Sequence, residues 1–301
     1  FLHEYAFQPV DTHDFMRTLK EVTGRNMDWF FDQFIFLPGH PVFEVSSDWD
    51  AEAGEVWVHV SQVQDRDHGV PIYRTPLRIG VVTPSGKRVE EVWLEEEHES
   101  FVFRSAEEPL LVRFDEGNWL LKEWSYEKSL NELLFQATND DVIGREWAVR
   151  ELAGAPGDSP GDPSADPTVW EALAEFASQD PFWAVRLAAL EGLDARDMSG
   201  EHRSDALAVF QGAALDADSR VRRTAIRLLG SAGDPALNPF LEERFRQDDS
   251  YLVQAEALTA IGRSGDQGYL PFLREALEVP SHQDVIRRAA ESAIEALSKI
   301  R

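Results

Sequence analysis

The chain has 301 residues, with 55 acidic against 29 basic side chains and a formal charge of −26. Hydrophobic residues make up 43% of it, enough for real cores, and the absence of cysteine excludes disulfides, thiolate zinc sites, iron–sulfur clusters and cysteine nucleophiles. So negative a balance argues against a nucleic-acid partner, and no run approaches the ~18 apolar residues that span a membrane.

The length fits two or three domains. No charged–apolar–small-residue leader follows Phe1, and the missing start methionine points to a mature product or a piece of a longer chain. The basic residues divide into 24 Arg and only 5 Lys: Lys20, Lys87, Lys122, Lys128 and Lys299. Acid excess with scarce lysine suits a halophilic source, because at molar salt a Debye length of ~3 Å screens self-repulsion. A GC-rich genome favouring Arg and Asp gives the same composition. On both readings the charge describes the solvent and not a substrate.

Residues 1–40 read as two short helices. Asp11 or Thr12 can cap the first, Phe15, Met16, Leu19 and Val22 recur at helical spacing, and Gly24 ends it. Asn26 can cap the second, which carries Trp29, Phe30, Phe31, Phe34, Ile35 and Phe36 before Pro38 and Gly39 stop it. Aromatic residues on that many sides demand burial against protein, either the next domain or something upstream.

Residues 41–116 change period. Short β-rich runs at Val42–Val45, Val56–Val60, Leu77–Val81, Val89–Leu94, Phe101–Phe103 and Leu110–Phe114 are separated by turn signals at Asp50 to Gly54, Asp65 to Gly69, Thr83 to Gly86 and Glu107 to Pro109. Spacings near ten predict a small antiparallel β-sandwich that ends near Phe114.

From 117 to 301 the pattern is helical and repetitive. Five segments open with an acidic residue (Asp141, Asp180, Asp218, Asp249, Asp284) and reach an anchor (Gly144, Val185, Val221, Val253, Ile286). A polar or basic residue follows each anchor, and then a small residue (Ala148, Ala189, Ala225, Ala257, Ala290) and a large one (Leu152, Leu193, Leu229, Ile261, Ile294). A second helix lies between members, over 168–178, 201–214, 234–247 and 268–278. Helix pairs at this spacing resemble HEAT-type repeats, which stack into an α-solenoid, with the Asp as cap and the Ala allowing close approach. The stretch 153–167, rich in Gly and Pro, reads as a flexible loop or linker.

Chemistry is sparse. No two of His3, His13, His40, His59, His68, His98, His202 and His282 sit three to five apart on a helix, as a local zinc site needs. His3-Glu4 and His98-Glu99 begin like a zinc-peptidase motif, but Phe7 and Val102 stand where the second histidine belongs. Glu95-Glu96-Glu97 and Asp248-Asp249 read as solvated turns before they read as calcium ligands. Arg220, Arg223 and Arg227 share one helix face, suited to an anion or to ion pairs with neighbouring acids. Trp29, Trp119, Trp147, Trp170 and Trp183 read as core residues. No residue is assigned as catalytic, cofactor-binding or metal-ligating.

The stretch Thr12-His-Asp-Phe15, Thr23-Gly24-Arg-Asn-Met-Asp28-Trp29-Phe30-Phe31-Asp32-Gln33-Phe34, Pro38-Gly39-His40-Pro41 resembles the segment that closes the catalytic domain of the gluzincin zinc aminopeptidases. Phe34 stands where tryptophan is common. Phe114-Asp115-Glu116-Gly117-Asn118-Trp119-Leu120-Leu121-Lys122 is similar to the end of that family's sandwich, and Asp141-Val-Ile-Gly-Arg145 to the start of its helical domain. The resemblance implies three parts: residues 1–40 as the tail of a catalytic domain, 41–116 as the sandwich and 117–301 as the solenoid. It also implies that the zinc ligands, general base and substrate loop lie upstream, since nothing here matches them. This chain alone is then expected to be inactive and to hold no cofactor, zinc belonging to the parent protein. Its partners would be its own upstream catalytic domain and, through the parent, peptide substrates whose access the solenoid shapes. The alternative is a HEAT-repeat interaction scaffold without peptidase activity.

Overall fold

The computed structural model of the protein describes residues 1–154, 166–194 and 203–299. They fall into two compact units, Phe1–Glu132 and Leu133–Arg301. Among the described residues no helix is long and apolar enough to cross a membrane.

In the first unit, α1 (Thr12–Thr23) starts at Asp11, whose side chain accepts from the Asp14 N–H while Asp14 returns the contact to the Asp11 N–H. That reciprocal box satisfies two otherwise orphaned donors. Gly24 closes the helix in the left-handed conformation, φ 65°. The single helix expected over 27–36 is not regular. α2 (Asp28–Phe31) makes one turn and passes into a wider π-turn, Asp32–Phe36, in which the Leu37 N–H reaches back to the Asp32 carbonyl. Gln33 Nε2 donates to the Trp29 carbonyl at 2.6 Å, competing with the backbone ladder at the point where the helix widens. Asn26 serves at the start, accepting from the Asp28 N–H at 2.8 Å.

Seven strands follow: β1 (Val42–Asp50), β2 (Glu55–Gln62), β3 (Thr75–Thr83), β4 (Gly86–Leu94), β5 (His98–Arg104), β6 (Leu111–Phe114) and β7 (Glu123–Tyr126). They form one sheet in the order β5-β2-β1-β7 and another in the order β4-β3-β6. Strict alternation in β2 turns Val56, Val58, Val60 and Gln62 inward. Across the core, Phe43 of β1 meets Phe114 of β6 edge to face at 5.3 Å.

Two expectations are corrected by β7. The strands do not end near Phe114, and the sandwich is mixed and not purely antiparallel, because β7 runs parallel to β1 with Phe43 opposite Trp124 and Val45 opposite Tyr126. Residues 117–126, read as the start of the helical part, therefore complete the sandwich. The chain leaves β6 at one sheet, turns through 115–122 and joins the edge of the other, where Tyr126 is buried and donates to Ser47 Oγ at 2.8 Å.

In the second unit, beyond α3 (Leu130–Asn139), the five anchor helices are α4 (Val142–Ala153), α6 (Trp183–Asp194), α8 (Ser219–Ser231), α10 (Tyr251–Arg263) and α12 (Val285–Ser298). Between them lie α5 (Pro167–Gln179), α7 (Arg203–Ala213), α9 (Asn238–Gln247) and α11 (Leu270–Ala276). Each anchor helix packs on the next, and each intervening helix packs on the anchor helix after it, the nearest-neighbour pattern of a repeat array. All five anchors and all five paired alanines are buried. The large residues Leu152, Leu193, Leu229 and Ile261 are buried too, whereas Ile294 on the last helix is only half-buried.

The acidic openers divide. Asp141 accepts from Gly144 N, Asp180 from Phe182 N and Asp218 from Arg220 N, as caps do. Asp249 and Asp284 do not cap. Asp249 pairs with Arg222, and Ser281 Oγ takes the Ile286 N–H in place of Asp284. The 153–167 segment lies, for residues 155–165, outside the described residues, as does His202.

The residue after each anchor builds a ladder between repeats. Arg145 grips Asp180, Arg186 grips Asp216 and Arg222 grips Asp248, each through Nε and a terminal nitrogen at 2.7–3.2 Å. Each guanidinium also donates to the carbonyl of the acid before its own helix: Asp140, Asp180 and Asp216. Gln254 keeps the carbonyl contact, to Asp248, and ends the run of carboxylate bridges. Planar bidentate pairing is what arginine does and lysine does not.

Candidate functional site

Among the described residues no three His, Asp or Glu side chains converge on a point where a metal ion could sit. The histidines are dispersed in separate local contacts. His59 Nδ1 meets Ser100 Oγ at 2.7 Å, His98 meets Ser61, His40 meets Glu123 and His13 stacks on Phe36. The acidic runs are also engaged, Glu95 with Arg74, Glu97 with Arg66, and Asp248 and Asp249 with Arg222. Among the described residues these donors do not compose a zinc site.

What the first unit offers is an apolar cleft of about 770 Å³. One wall is the aromatic helix, with Trp29, Phe30, Phe34 and Ile35; a second is the β3–β4 hairpin, with Leu77 and Trp93; the third is the turn carrying Trp119 to Leu121. Gln33 sets the first wall. Its side chain takes the Arg74 N–H and donates back to the Arg74 carbonyl at 3.1 Å, fixing the helix to the strand entry. Trp29 then meets Trp93 edge to face at 5.3 Å, and the Arg74 guanidinium lies 4.8 Å above Trp93.

The third wall is set by buried charge. Asp115 is 2% exposed, and its carboxylate accepts from Trp119 N, Leu120 N and Lys122 Nζ at 2.6–3.1 Å. Burial pulls the Lys122 ammonium below the usual lysine range, and the Asp115 carboxylate opposes that pull. The backbone carries left-handed residues at Asp115 (φ 51°), Gly117 (φ 90°) and Asn118 (φ 53°). Glycine suits the left-handed backbone at Gly117, where a side chain would be strained, and a Cβ there would also lie 2.5 Å from Trp119 Nε1. This turn holds apolar groups in water: Trp119 is 75% exposed and Leu121 71%. Of the aromatic helix only Phe31 is buried, while Ile35 and Phe36 are about half exposed. Trp119 is therefore not the core residue that its type suggested. Nothing in the sequence marks it as exposed, because Asp115 and Lys122 become a buried pair only once the turn has closed.

The arginine face predicted on α8 resolves into ion pairs. Arg220 pairs with Asp218 and lies 3.4 Å over the Trp183 ring, Arg223 meets Glu256 at 3.3 Å, and Arg227 stands 4.0 Å from Asp194.

The sequence profile of HEAT repeats matches residues 170–261 and again 208–295. The helical unit is a HEAT-type array. No curated protein matches the chain. Solved structures do, among them aminopeptidase A of Legionella pneumophila in complex with aspartic acid. That match has a TM-score of 0.61 and 12% identity, and covers 96% of this chain but 43% of the aminopeptidase. At such identity the likeness is one of fold: a helical segment, a mixed β-sandwich and an array of packed helices in the same order. This chain spans less than half the length of the protein it resembles.

Proposed function

We propose that this chain is the non-catalytic C-terminal region of a zinc-dependent aminopeptidase of the gluzincin family, with the cleft of the first unit as the seat for a catalytic domain lying upstream. One observation carries the reading. The two stretches whose sequence resembles that family, Asp28–Phe34 and Phe114–Lys122, lie some eighty residues apart and supply two walls of the same cleft. Each is braced by its own polar clamp, Gln33 or Asp115; the second leaves Trp119 and Leu121 in water, and Ile35 and Phe36, directly after the first, are about half exposed. A ring buried fully contributes about 1.5–3 kcal/mol, so the exposed Trp119, Leu121, Ile35 and Phe36 favour a covering surface.

On this reading the catalytic domain would hold zinc and cleave N-terminal residues, and this region would restrict peptide access to it. The test joins this chain to the coding sequence that precedes it and assays zinc content and chelator-sensitive hydrolysis of aminoacyl-anilides. Expected is one zinc per joined chain and hydrolysis that this chain alone lacks, with Trp119→Asp loosening the joined protein to proteolysis. An upstream sequence without two histidines and two glutamates in zinc-motif spacing would overturn it. The second reading, an interaction scaffold, is favoured by the HEAT-type array itself and would then take its place.

A further inference from the structure

We infer that α11 and α12 form a leaf that opens from the array as one unit, hinged in the turn 264–266. This goes beyond the function proposed above and stands whether or not a catalytic domain covers the first unit.

The junctions of the array are not alike. Arg145–Asp180 and Arg150–Glu191 join the α4 and α6 repeats, and Arg186–Asp216 and Arg227–Asp194 join those of α6 and α8. Arg222–Asp248 and Arg223–Glu256 join those of α8 and α10. At the next junction the rung is missing on both sides. Each ladder acid lies six residues before the ladder position of its own repeat: Asp180 before Arg186, Asp216 before Arg222 and Asp248 before Gln254. The same offset from Arg287 reaches Ser281, and the residue placed to grip it is Gln254. Among the described residues no hydrogen bond or ion pair runs from α11 or α12 to an earlier repeat.

The polar ties lie inside the pair instead. Gln267 Nε2 donates to the Leu297 carbonyl at 3.3 Å, holding the start of α11 to the end of α12. Arg287 Nε donates to the Leu277 carbonyl at 3.3 Å, holding the end of α11 to the start of α12. Contact with the array is apolar and aromatic. Ala293 closes on Gly262, where a Cβ would lie 2.7 Å from the Ala293 Cα. Phe272 meets Phe245 edge to face at 5.4 Å, with the Arg246 guanidinium 5.1 Å over its ring.

The hinge end is pinned. Asn238 is fully buried and donates to Ser264 Oγ at 2.9 Å, and Gly265 carries the turn at φ 79°. At the other end, Gln283 and Asp284 stand consecutively in the left-handed region at φ 52° and 53°, a conformation disfavoured for residues with side chains. A pair of helices tied within itself, pinned at one turn and held elsewhere without a hydrogen bond has the anatomy of a cooperative opening unit. Its opening uncovers the α10 face at Gly262.

Hydrogen exchange read by mass spectrometry on the full chain tests this, with urea stepped below the unfolding midpoint. Peptides from α11 and α12 should share one opening rate and one urea dependence. They should exchange at least about tenfold faster than those from α8 and α10, the difference made by one absent charge-assisted rung. Gln254→Arg with Ser281→Asp rebuilds the rung and keeps an oxygen for the Ile286 N–H that Ser281 now takes. It should slow both sets of peptides together by at least about tenfold, more than the two single substitutions combined. Gly262→Ala wedges the apolar contact and should speed both sets while leaving α4 and α6 unchanged, a readout that does not depend on the double variant folding. Exchange graded along α12 from Ser298 inward, with α11 as slow as α9, would mark end fraying and overturn the inference. So would an unchanged rate in the rebuilt variant, or one opening shared equally by all repeats.

Discussion

Arg186 of one repeat holds Asp216 of the next by two hydrogen bonds of 2.7 Å, and Asp216 in turn caps the Asp218 N–H at 2.7 Å. One carboxylate thus fixes both the spacing of two repeats and the entry of α8. Both side chains are about one-eighth exposed, so solvent screens them less than the surface pairs of this acidic chain. Removing one partner leaves the other desolvated and alone. Arg186→Ala and Asp216→Ala should each cost on the order of 3 kcal/mol, whereas Glu295→Ala, which breaks the exposed and solvent-screened pair with Lys299, should cost far less than either. Urea denaturation of the three variants checks the ordering, and a double-mutant cycle isolates the 186–216 coupling.

The acid limb of stability follows from the same loops. The Arg220 side chain holds Asp218 down from the usual 3.8 to about 2. Burial raises Asp248, but the hydrogen bonds from Arg222 and Ser250 outweigh it and leave the net shift downward. A carboxyl whose folded pKa is depressed adds stability above its unfolded value and loses it as pH falls through the folded one. Stability from this source should hold above about pH 4 and decline towards about pH 2. Asp218→Asn should flatten that decline in a chemical-denaturation series across pH.

Close helix approach makes two glycine substitutions diverge in sign. A Cβ at Gly230 would lie 2.7 Å from Ala260 Cβ and 2.9 Å from its Cα, so backbone would have to move. At Gly212 in α7 a Cβ meets nothing within 4 Å. Alanine is favoured over glycine in a helix by up to about 1 kcal/mol, but overpacking costs about 1–3 kcal/mol. Gly212→Ala should therefore raise the melting temperature and Gly230→Ala should lower it.

The cleft turn separates support from exposure. Asp115→Ala strips Lys122 of its carboxylate and leaves that ammonium, 2% exposed, uncompensated, for an expected loss of about 3 kcal/mol or more. Trp119→Ala, at a ring 75% exposed, should change the stability of this chain by less than about 0.5 kcal/mol. Thermal melts of both variants test the assignment of Trp119 to a covering surface outside this chain.

The composition carries a solvent prediction of its own. With −26 of formal charge to confine, the melting temperature should climb steeply between dilute buffer and molar potassium chloride. A flat response would leave the scarcity of lysine as a matter of codon usage.

The sequence by itself determined the order of elements and the repeat. Helix caps such as Asp11 and Asp218, the stop at Gly24 and the four-residue spacing of Val221, Ala225 and Leu229 act within a turn or two, so local chemistry was enough to read them. It did not determine β7, because the Glu123–Tyr126 run is four residues long and owes its strand to a parallel partner some eighty residues earlier. Nor did it reveal which carboxylates the ladder uses. Asp216 and Asp248 sit one or two residues before the acids that look like caps, and only the packing of adjacent helices brings them against Arg186 and Arg222. The exposure of Trp119 is of the same kind. Residue type favours burial, and a buried pair formed by Asp115 and Lys122 holds the ring in water, a contest between local preference and non-local charge that only tertiary structure decides.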